Sequence, residues 1–148
     1  MLNLAIIRGY VADDPFIRAT EGGKFARLRV VTVEKIVVRK TNSIRMHTEW
    51  HTIALWGDHA EVADRKIRIG SAIQIEGALR TRSWQDKDGV TNKATEISAH
   101  KLEILNSIDG AEIPDFIVAA MPASQSSKAT STKLEVKRPI DDPDDLPF

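Results

Sequence analysis

The feature that most constrains this chain is a series of segments in which apolar and polar residues alternate with the period of a β-strand. The alternation is clearest at residues 25–33 and 48–56. Side chains in a strand point to opposite faces in turn, so this period indicates strands with one buried face. The segments that we interpret as strands are 2–11, 25–33, 48–56, 73–82 and 91–105. The chain is therefore predicted to be all-β over about its first 105 residues.

One amphipathic stretch between the third and fourth strands predicts a single short helix. We expect Asp58 as its N-cap and Gly70 as its end. Asp88-Gly89 predicts a hairpin turn between the last two strands. Five strands with one helix after the third is the order of an OB-fold, a small Greek-key barrel. The same pattern is also compatible with an SH3-like barrel or a small sandwich.

The composition changes after residue 106. A Ser-, Lys- and Thr-rich centre at 124–132 is too polar to offset the entropy cost of ordering it. We therefore predict a folded domain at 1–106, a flexible linker at 107–139 and an acidic tip at 140–148, so that the barrel carries a disordered C-terminal tail. An apolar island, Ile113 to Met121, interrupts the linker. It could dock on the domain, contact a partner or be a stray apolar patch.

The formal net charge of zero hides an asymmetry along the chain. Residues 1–105 carry 17 Lys/Arg against 13 Asp/Glu, while the last eight residues carry four Asp and no base. A mildly basic body with an acidic end suggests two separate electrostatic roles. The Asp residues could merely improve solubility, but the apolar end Leu146-Pro147-Phe148 does not. A ring beside a free carboxylate suits a hydrophobic pocket with a basic lip.

Several classes of protein are disfavoured by the composition. The chain has no cysteine, which excludes disulfides and thiolate metal sites. It has no apolar run of the roughly 20 residues that cross a bilayer. Its first residues fit a strand better than a secretory signal. We therefore expect a cytoplasmic protein that does not insert into a membrane.

Catalysis is not expected. The four histidines, His47, His51, His59 and His100, lack zinc-ligand spacing, and no nucleophile elbow, phosphate-binding loop or dinucleotide motif occurs. The paired carboxylates Asp13-Asp14 and Asp86/Asp88 lie on predicted turns, where carboxylates are usually solvated. No cofactor and no metal are predicted. An OB-fold hydrolase or nuclease that uses these carboxylates is the enzymatic alternative.

The tryptophans and arginines indicate a different role. Arg80, Arg82 and Trp84 share a parity, so one strand would present all three on one face. Guanidinium groups can bind phosphates, and an indole can stack on an unpaired base. Trp50 and Trp56 also share a face and could either line a groove or fill the barrel.

A basic stretch lies around the predicted loop between the second and third strands. Its cations are Lys35, Arg39, Lys40 and Arg45. Such a run is usually a solvated loop. In an OB-fold, however, a basic loop at this place could also wrap a strand of nucleic acid.

Taken together, these segments resemble the bacterial single-stranded DNA-binding protein family. The matching motifs are Asp14-Pro15 with Arg18, Thr48-Glu49-Trp50-His51, Leu55-Trp56-Gly57, Ala60-Glu61-Val62-Ala63, Ile75-Glu76-Gly77, Leu79-Arg80-Thr81-Arg82 with Trp84, and Asp144-Asp145-Leu146-Pro147-Phe148. Each motif is weak alone, but their order and this C-terminus are specific. The resemblance covers residues 1–105 and about the last eight, and leaves the linker unmatched.

The resemblance implies a homotetramer around which single-stranded DNA wraps. It assigns base stacking to Trp50, Trp56 and Trp84, and places His51 near a subunit interface. It also implies that the tip recruits replication, recombination and repair proteins. With the cations, the predicted DNA-binding set is Trp50, Trp56, Trp84, Arg80, Arg82, Lys35 and Arg39. The predicted partner-binding set is Asp141, Asp142, Asp144, Asp145, Leu146, Pro147 and Phe148.

Two positions depart from the family pattern. Ile36 stands where many members have a further stacking tryptophan, and Thr52 where many have arginine. Both changes predict weaker binding or an altered wrapping mode. They also support an alternative function, an OB-fold adaptor of a primosome or other protein assembly with weak affinity for DNA.

Overall fold

The computed structural model describes residues 1–121 of the chain. In chain order the elements are β1 (Ala5–Val11), β2 (Phe16–Thr20), β3 (Gly23–Val38), β4 (Ser43–Trp56), α1 (Asp58–Lys66), β5 (Ala72–Gln85), β6 (Thr91–Leu105) and α2 (Asp115–Ala120). Five of the strands close into a barrel in the order β1, β5, β6, β4, β3 and back to β1. The predicted five-stranded OB-fold is confirmed. The short strand β2 and the short helix α2 are additions to it.

Two short pairings close the barrel. β1 pairs antiparallel with β3 at Tyr10 and Val11, and β4 runs parallel to β6 at Ile53 and Ala54. The longest ladders are the antiparallel pairs β3–β4 and β5–β6. Gly89, with a φ of 78°, forms the turn that joins β5 to β6. The predicted Asp-Gly hairpin turn is confirmed.

The core consists of the inward-facing residues of the barrel strands together with one side of α1. Its largest fully buried side chains include Leu28, Ile53, Leu55, Ile73 and Ile75. These are alternate positions along β3, β4 and β5, which is the pattern that a half-buried strand requires. The side chains at the alternate positions of the same strands point away from the core and form an outer surface.

Two glycines allow neighbouring strands to approach closely. A Cβ atom on Gly9 of β1 would lie 2.3 Å from the carbonyl oxygen of Val31 on β3. A Cβ atom on Gly77 of β5 would lie 2.3 Å from the carbonyl oxygen of Ser98 on β6. Both distances are far inside van der Waals contact, so these positions need glycine for steric reasons.

The first strand differs from its prediction. It begins at Ala5 rather than at residue 2, and a further strand, β2, follows the Asp13-Asp14-Pro15 break. β2 continues the pairing with β3, from Phe16 opposite Arg27 to Thr20 opposite Gly23. Pro15 has no N–H for a ladder, which explains why the pairing is interrupted there.

Only the middle of the basic stretch is a loop. β3 and β4 extend as a paired hairpin as far as Val38 and Ser43, so Lys35 and Arg45 lie within strands. Arg39 and Lys40 lie in the turn. The loop is shorter than predicted, because the strands extend through apolar residues that are exposed, among them Val37 and Ile44. Alternation without a buried face did not indicate a strand in the sequence.

The limits of α1 also differ from the prediction. Gly57, with a φ of 58°, occupies the N-cap, and Asp58 is the first helical residue. A carboxylate in the first turn still complements the helix dipole. The helix ends at Lys66, and Gly70, with a φ of 88°, lies in the connection to β5.

The apolar island docks on the barrel. Ile117 of α2 is fully buried in a second small core with Tyr10, Val31 and Ile69. The hydroxyl of Tyr10 donates a hydrogen bond to the carbonyl oxygen of Ala111 over 2.9 Å. Packing against the barrel therefore continues to the end of the described residues. The rest of the predicted linker and the predicted tip lie outside them.

Candidate nucleic-acid interface

The outer surface of the barrel carries the predicted aromatic residues. Ile53 and Leu55 of β4 point into the core, so Trp50 and Trp56 point outward with the opposite parity. The two tryptophans are 45% and 53% exposed. The sequence had left open whether they fill the barrel, and the structure shows that they lie on its surface.

Trp50 lies between a cation and a second ring. The guanidinium carbon of Arg29 is 4.7 Å from the centroid of the Trp50 ring, within cation–π distance. Phe116 of α2 approaches the same indole with a centroid separation of 5.4 Å and an interplanar angle of 37°. Arg29 also forms an exposed ion pair with Asp13 at 3.4 Å.

Trp56 packs on a buried ring. It lies directly opposite Phe25 in the β3–β4 ladder, with ring centroids 4.5 Å apart and tilted by 53°. Two guanidiniums approach the Phe25 ring, that of Arg27 at 5.0 Å and that of Arg18 at 5.5 Å. Phe25 is itself almost fully buried. It therefore supports the exposed indole and gathers two cations around it.

Trp84 lies near the end of β5, where Arg80 and Arg82 share its parity. The guanidinium of Arg82 lies over the Trp84 ring, 4.5 Å from its centroid. All three side chains are exposed. The sequence prediction that Arg80, Arg82 and Trp84 lie on one face agrees with this geometry.

Glu96 connects the two halves of this surface. Its carboxylate is 3.8 Å from Nε of Arg82 and 3.6 Å from Nε of Arg27, and its side chain is only 12% exposed. One acidic group thus links the Trp84 side to the Phe25 side. We call the continuous surface the aromatic face. Its residues are Phe25, Arg27, Arg29, Trp50, Trp56, Arg80, Arg82, Trp84 and Glu96.

Within residues 1–121, every substantially exposed aromatic residue belongs to this face or borders it. They are Phe16, Trp50, Trp56, Trp84 and Phe116. Phe16 lies opposite Arg27 in the β2–β3 ladder and so shares its side. An exposed ring forgoes hydrophobic burial. The concentration of such rings on one surface therefore indicates a binding face.

Sequence reasoning missed several residues of the face. Phe25, Arg27 and Arg29 alternate along one strand, so the signal for them was present. Glu96 gave no such signal, and Phe116 stood out only as part of the apolar island, because only the folded chain brings the two residues to the tryptophans.

The remaining predicted cations lie farther out on the β3–β4 hairpin. Lys35 pairs with Met46 and has the same parity as Arg29, so its side chain lies on the same side of the hairpin as the aromatic face. Arg39 follows in the turn. Ile36 pairs with Arg45 and points to the opposite side. Thr52 lies between the two outward tryptophans of β4, opposite Arg29.

His51 lies on the other side of β4 from the tryptophans. Its Nε2 atom is 2.9 Å from the hydroxyl oxygen of Thr32, and the ring is half-buried. Burial lowers the pKa of His51, and the nearby carboxylate of Glu49 partly opposes this effect. His51 lines a pocket with Arg8 and Tyr10 of β1. It is therefore not part of the aromatic face.

Other predicted features can be located briefly. Asp86 accepts hydrogen bonds from the N–H groups of Asp88 and Val90, and the latter bond lowers its pKa. It serves the hairpin turn. Within residues 1–121 no group of three or more His, Cys, Asp or Glu side chains could hold a metal ion. In the same part of the chain no helix is long and apolar enough to cross a membrane. The seven predicted tip residues, 141, 142 and 144–148, lie outside the described residues.

The fold and the aromatic face define a class, the OB-fold proteins whose outer surface presents exposed aromatic rings interleaved with guanidinium groups. A family model described as the single-strand binding protein family matches residues 2–105. The chain therefore belongs to the single-strand binding protein family.

Solved structures agree with this assignment. A Plasmodium falciparum single-strand binding protein in complex with single-stranded DNA is similar with a TM-score of 0.67 and 28% identity, over 72% of this chain and 97% of that one. A deletion mutant of the single-stranded DNA binding protein from Thermus aquaticus is similar with a TM-score of 0.62 and 25% identity, over 71% of this chain and 51% of that one. A small single-stranded DNA-binding protein from Streptomyces coelicolor has the same fold, with a TM-score of 0.58 and 20% identity, over 72% of this chain and 97% of that one.

Proposed function

We propose that this protein binds single-stranded DNA without sequence preference and protects exposed strands. The observation that carries the proposal is the aromatic face, where exposed tryptophans alternate with guanidinium groups. Bases stack on rings of any sequence, and cations neutralise the phosphates between them. Membership of the single-strand binding protein family and the likeness to the Plasmodium falciparum complex support the same ligand.

The geometry supports individual roles for the residues of this face. Trp50, Trp56 and Trp84 stack on bases, and Arg80 and Arg82 contact phosphates beside Trp84. Farther along the β3–β4 hairpin, Lys35 and Arg39 extend the cationic path. No step of this function breaks a bond, so the protein acts without catalysis. A lack of nucleic-acid turnover in the presence of divalent metal ions is the expected result, and sustained turnover would favour the enzymatic alternative.

Titration with oligo-dT, followed by intrinsic tryptophan fluorescence, tests the proposal. Stacking should quench the fluorescence strongly. Binding should weaken as salt rises, because cation–phosphate contacts release counterions. Absence of any change at low salt would contradict DNA binding and favour the protein-assembly adaptor.

We further propose that the tip at 140–148 recruits DNA replication, recombination and repair proteins. The support is its order of residues, four Asp followed by Leu146-Pro147-Phe148 at a free carboxylate. The acidic residues would steer the tip to basic partners, and the ring would enter an apolar pocket. Deletion of residues 140–148 should abolish the capture of such proteins. Retention of the same partners after the deletion would contradict the proposal.

A homotetramer is the assembly that we propose, with His51 near a subunit interface and with the protein in the cytoplasm, associated with the nucleoid. The position of His51 beside β1, away from the tryptophans, is consistent with an interface separate from the DNA. Light scattering coupled to size-exclusion chromatography tests the assembly. A monomer at micromolar concentration would contradict it.

A further inference from the structure

Phe116 is an exposed ring on an otherwise well-anchored segment. Its neighbour Ile117 is fully buried against the barrel, and the Tyr10 hydroxyl holds the backbone at Ala111. Met121 at the end of the segment lies against Gly70, where an added Cβ would be 2.7 Å from its sulfur. Phe116 itself remains 45% exposed. The segment therefore buries Ile117 while it presents the preceding ring outward.

The ring is presented next to a tryptophan that is also open. Trp50 is 45% exposed even though Phe116 lies 5.4 Å away. The angle of 37° between the rings leaves them tilted rather than stacked in contact. A cap that blocked Trp50 would bury the indole. Two adjoining, half-exposed rings instead enlarge the apolar surface on which a base can rest.

We propose that α2 extends the DNA-binding face and that Phe116 is a further base-stacking residue, which forms one subsite with Trp50 and Arg29. The ligand of the subsite is an unpaired base, with the adjoining phosphate near the Arg29 guanidinium. This inference rests on the proposed function. It assigns a ligand-contacting role to a residue beyond the barrel itself, in the apolar island that interrupts the predicted linker.

Substitution of Phe116 tests the inference. Fluorescence anisotropy of a labelled oligo-dT would give Kd for the full-length protein, for Phe116→Ala and for Phe116→Leu. Loss of one stacked ring should raise Kd about 5- to 10-fold for both variants. Phe116→Trp should restore binding close to that of the parent protein. Val118→Ala is the control on the same helix, since it removes two methyl groups but no aromatic ring, and it should leave Kd unchanged.

Phe116→Leu separates loss of the aromatic ring from undocking of α2, because leucine maintains the apolar packing but has no π face. Equal Kd values for the parent and Phe116→Leu, with a raised Kd for Trp84→Ala, would overturn the role of Phe116 and leave DNA binding intact. Tighter binding by Phe116→Ala would show that the ring caps Trp50, and would also overturn the proposal. Absence of binding by the parent protein would instead reject the proposed function.

A double-mutant cycle locates the subsite. If Phe116 and Trp50 stack on the same base, the penalties of Phe116→Leu and Trp50→Leu should not be additive. Additive penalties would place Phe116 at a separate site and overturn the shared subsite. The cycle uses the full chain.

Discussion

At the scale of single residues, each tryptophan of the aromatic face has a supporting neighbour that leaves part of its ring open. Arg82 lies over Trp84, Phe25 packs beneath Trp56, and Arg29 lies over Trp50. Such contacts restrict the ring before a ligand arrives. Preorganisation of this kind reduces the entropy cost of binding.

We expect Trp84→Ala to weaken binding to oligo-dT by about 1–3 kcal/mol, because a stacked base loses its aromatic partner. Trp84→Phe should recover most of this loss. Leu79→Ala, an exposed change of the opposite parity on the same strand, is the control and should have little effect. The measurement is fluorescence anisotropy with labelled DNA. An unchanged Kd for Trp84→Ala would remove Trp84 from the interface.

Glu96 has two opposing effects on the face. It holds Arg27 and Arg82 together, but it also places a negative charge where phosphates would lie. Glu96→Gln should lower the free energy of unfolding by about 1 kcal/mol or less, because it removes the charge of two long ion pairs, while Nε of Arg27 is buried without a hydrogen bond to Glu96 already. The same change should tighten DNA binding at low salt.

Glu76→Gln is the matched control for this prediction. Glu76 pairs with Lys101 at 3.2 Å and precedes Trp84 by eight residues on β5, so its loss of charge should leave DNA affinity almost unchanged. Chemical denaturation and a salt titration with oligo-dT measure the two effects. Weaker DNA binding by Glu96→Gln would mean that the ordering of the arginines outweighs the repulsion of phosphates.

His51 predicts a pH dependence of stability. Burial lowers its pKa in the folded chain below the ordinary value of 6.5, so the unfolded chain binds the proton more tightly. The stability that the folded chain gains from a neutral His51 is complete above pH 6.5, and it is lost as the pH falls toward the lower pKa of the folded state. His51→Gln should reduce the change of the unfolding free energy with pH, whereas His100→Gln, at an exposed position, should retain it. Denaturant unfolding between neutral and mildly acidic pH measures both, and equal slopes would contradict the assignment.

At the scale of elements, the sequence was informative wherever alternation coincided with burial. β5, β6 and the inner half of β3 and β4 were predictable because Ile53, Leu55 and Ile73 mark a core face. The outer half of the β3–β4 hairpin was not, since Val37 and Ile44 alternate there without being buried. β2 was missed because it has only five residues, and a strand so short is recognisable only from its pairing with β3.

The close contact of β5 with β6 gives a prediction at this scale. Gly77→Ala should lower the free energy of unfolding by at least about 2 kcal/mol, since the new Cβ would overlap backbone atoms that cannot move independently. Gly22→Ala, where no atom lies within 4 Å of the added Cβ, should change it by less than about 0.5 kcal/mol. Thermal or denaturant unfolding compares them. Equal stability of the two variants would show that the strands can separate without cost.

At the scale of the whole molecule, the aromatic face is assembled from elements that are distant in sequence. Trp84 and Arg82 share one strand, which is why the sequence could predict them as a unit. The links through Glu96 to Arg27, and from Trp50 to Phe116, depend on the closure of the barrel and on the docking of α2. No local pattern encodes such contacts, so this part of the site became visible only in the fold.

The charge distribution of the whole chain leads to the last prediction. Residues 1–105 have an excess of four positive charges, and the four Asp of the tip balance them. An acidic segment tethered to the domain competes with phosphates for the same cations, at a high effective concentration. Deletion of residues 140–148 should therefore tighten binding to oligo-dT at low salt. The difference in affinity between the deletion variant and the parent protein should shrink as salt rises, because added salt screens the charges and shortens the Debye length to about 10 Å at 0.1 M.

Phe148→Ala separates this competition from partner recruitment. It retains all four Asp, so it should bind DNA like the parent protein and yet lose tip-dependent partners. A deletion variant with unchanged affinity at every salt concentration would show that the tip does not reach the aromatic face. Tighter binding by Phe148→Ala as well would mean that the apolar end, rather than the carboxylates, competes with DNA. The comparison of the two variants thus assigns the acidic and apolar parts of the tip to separate roles.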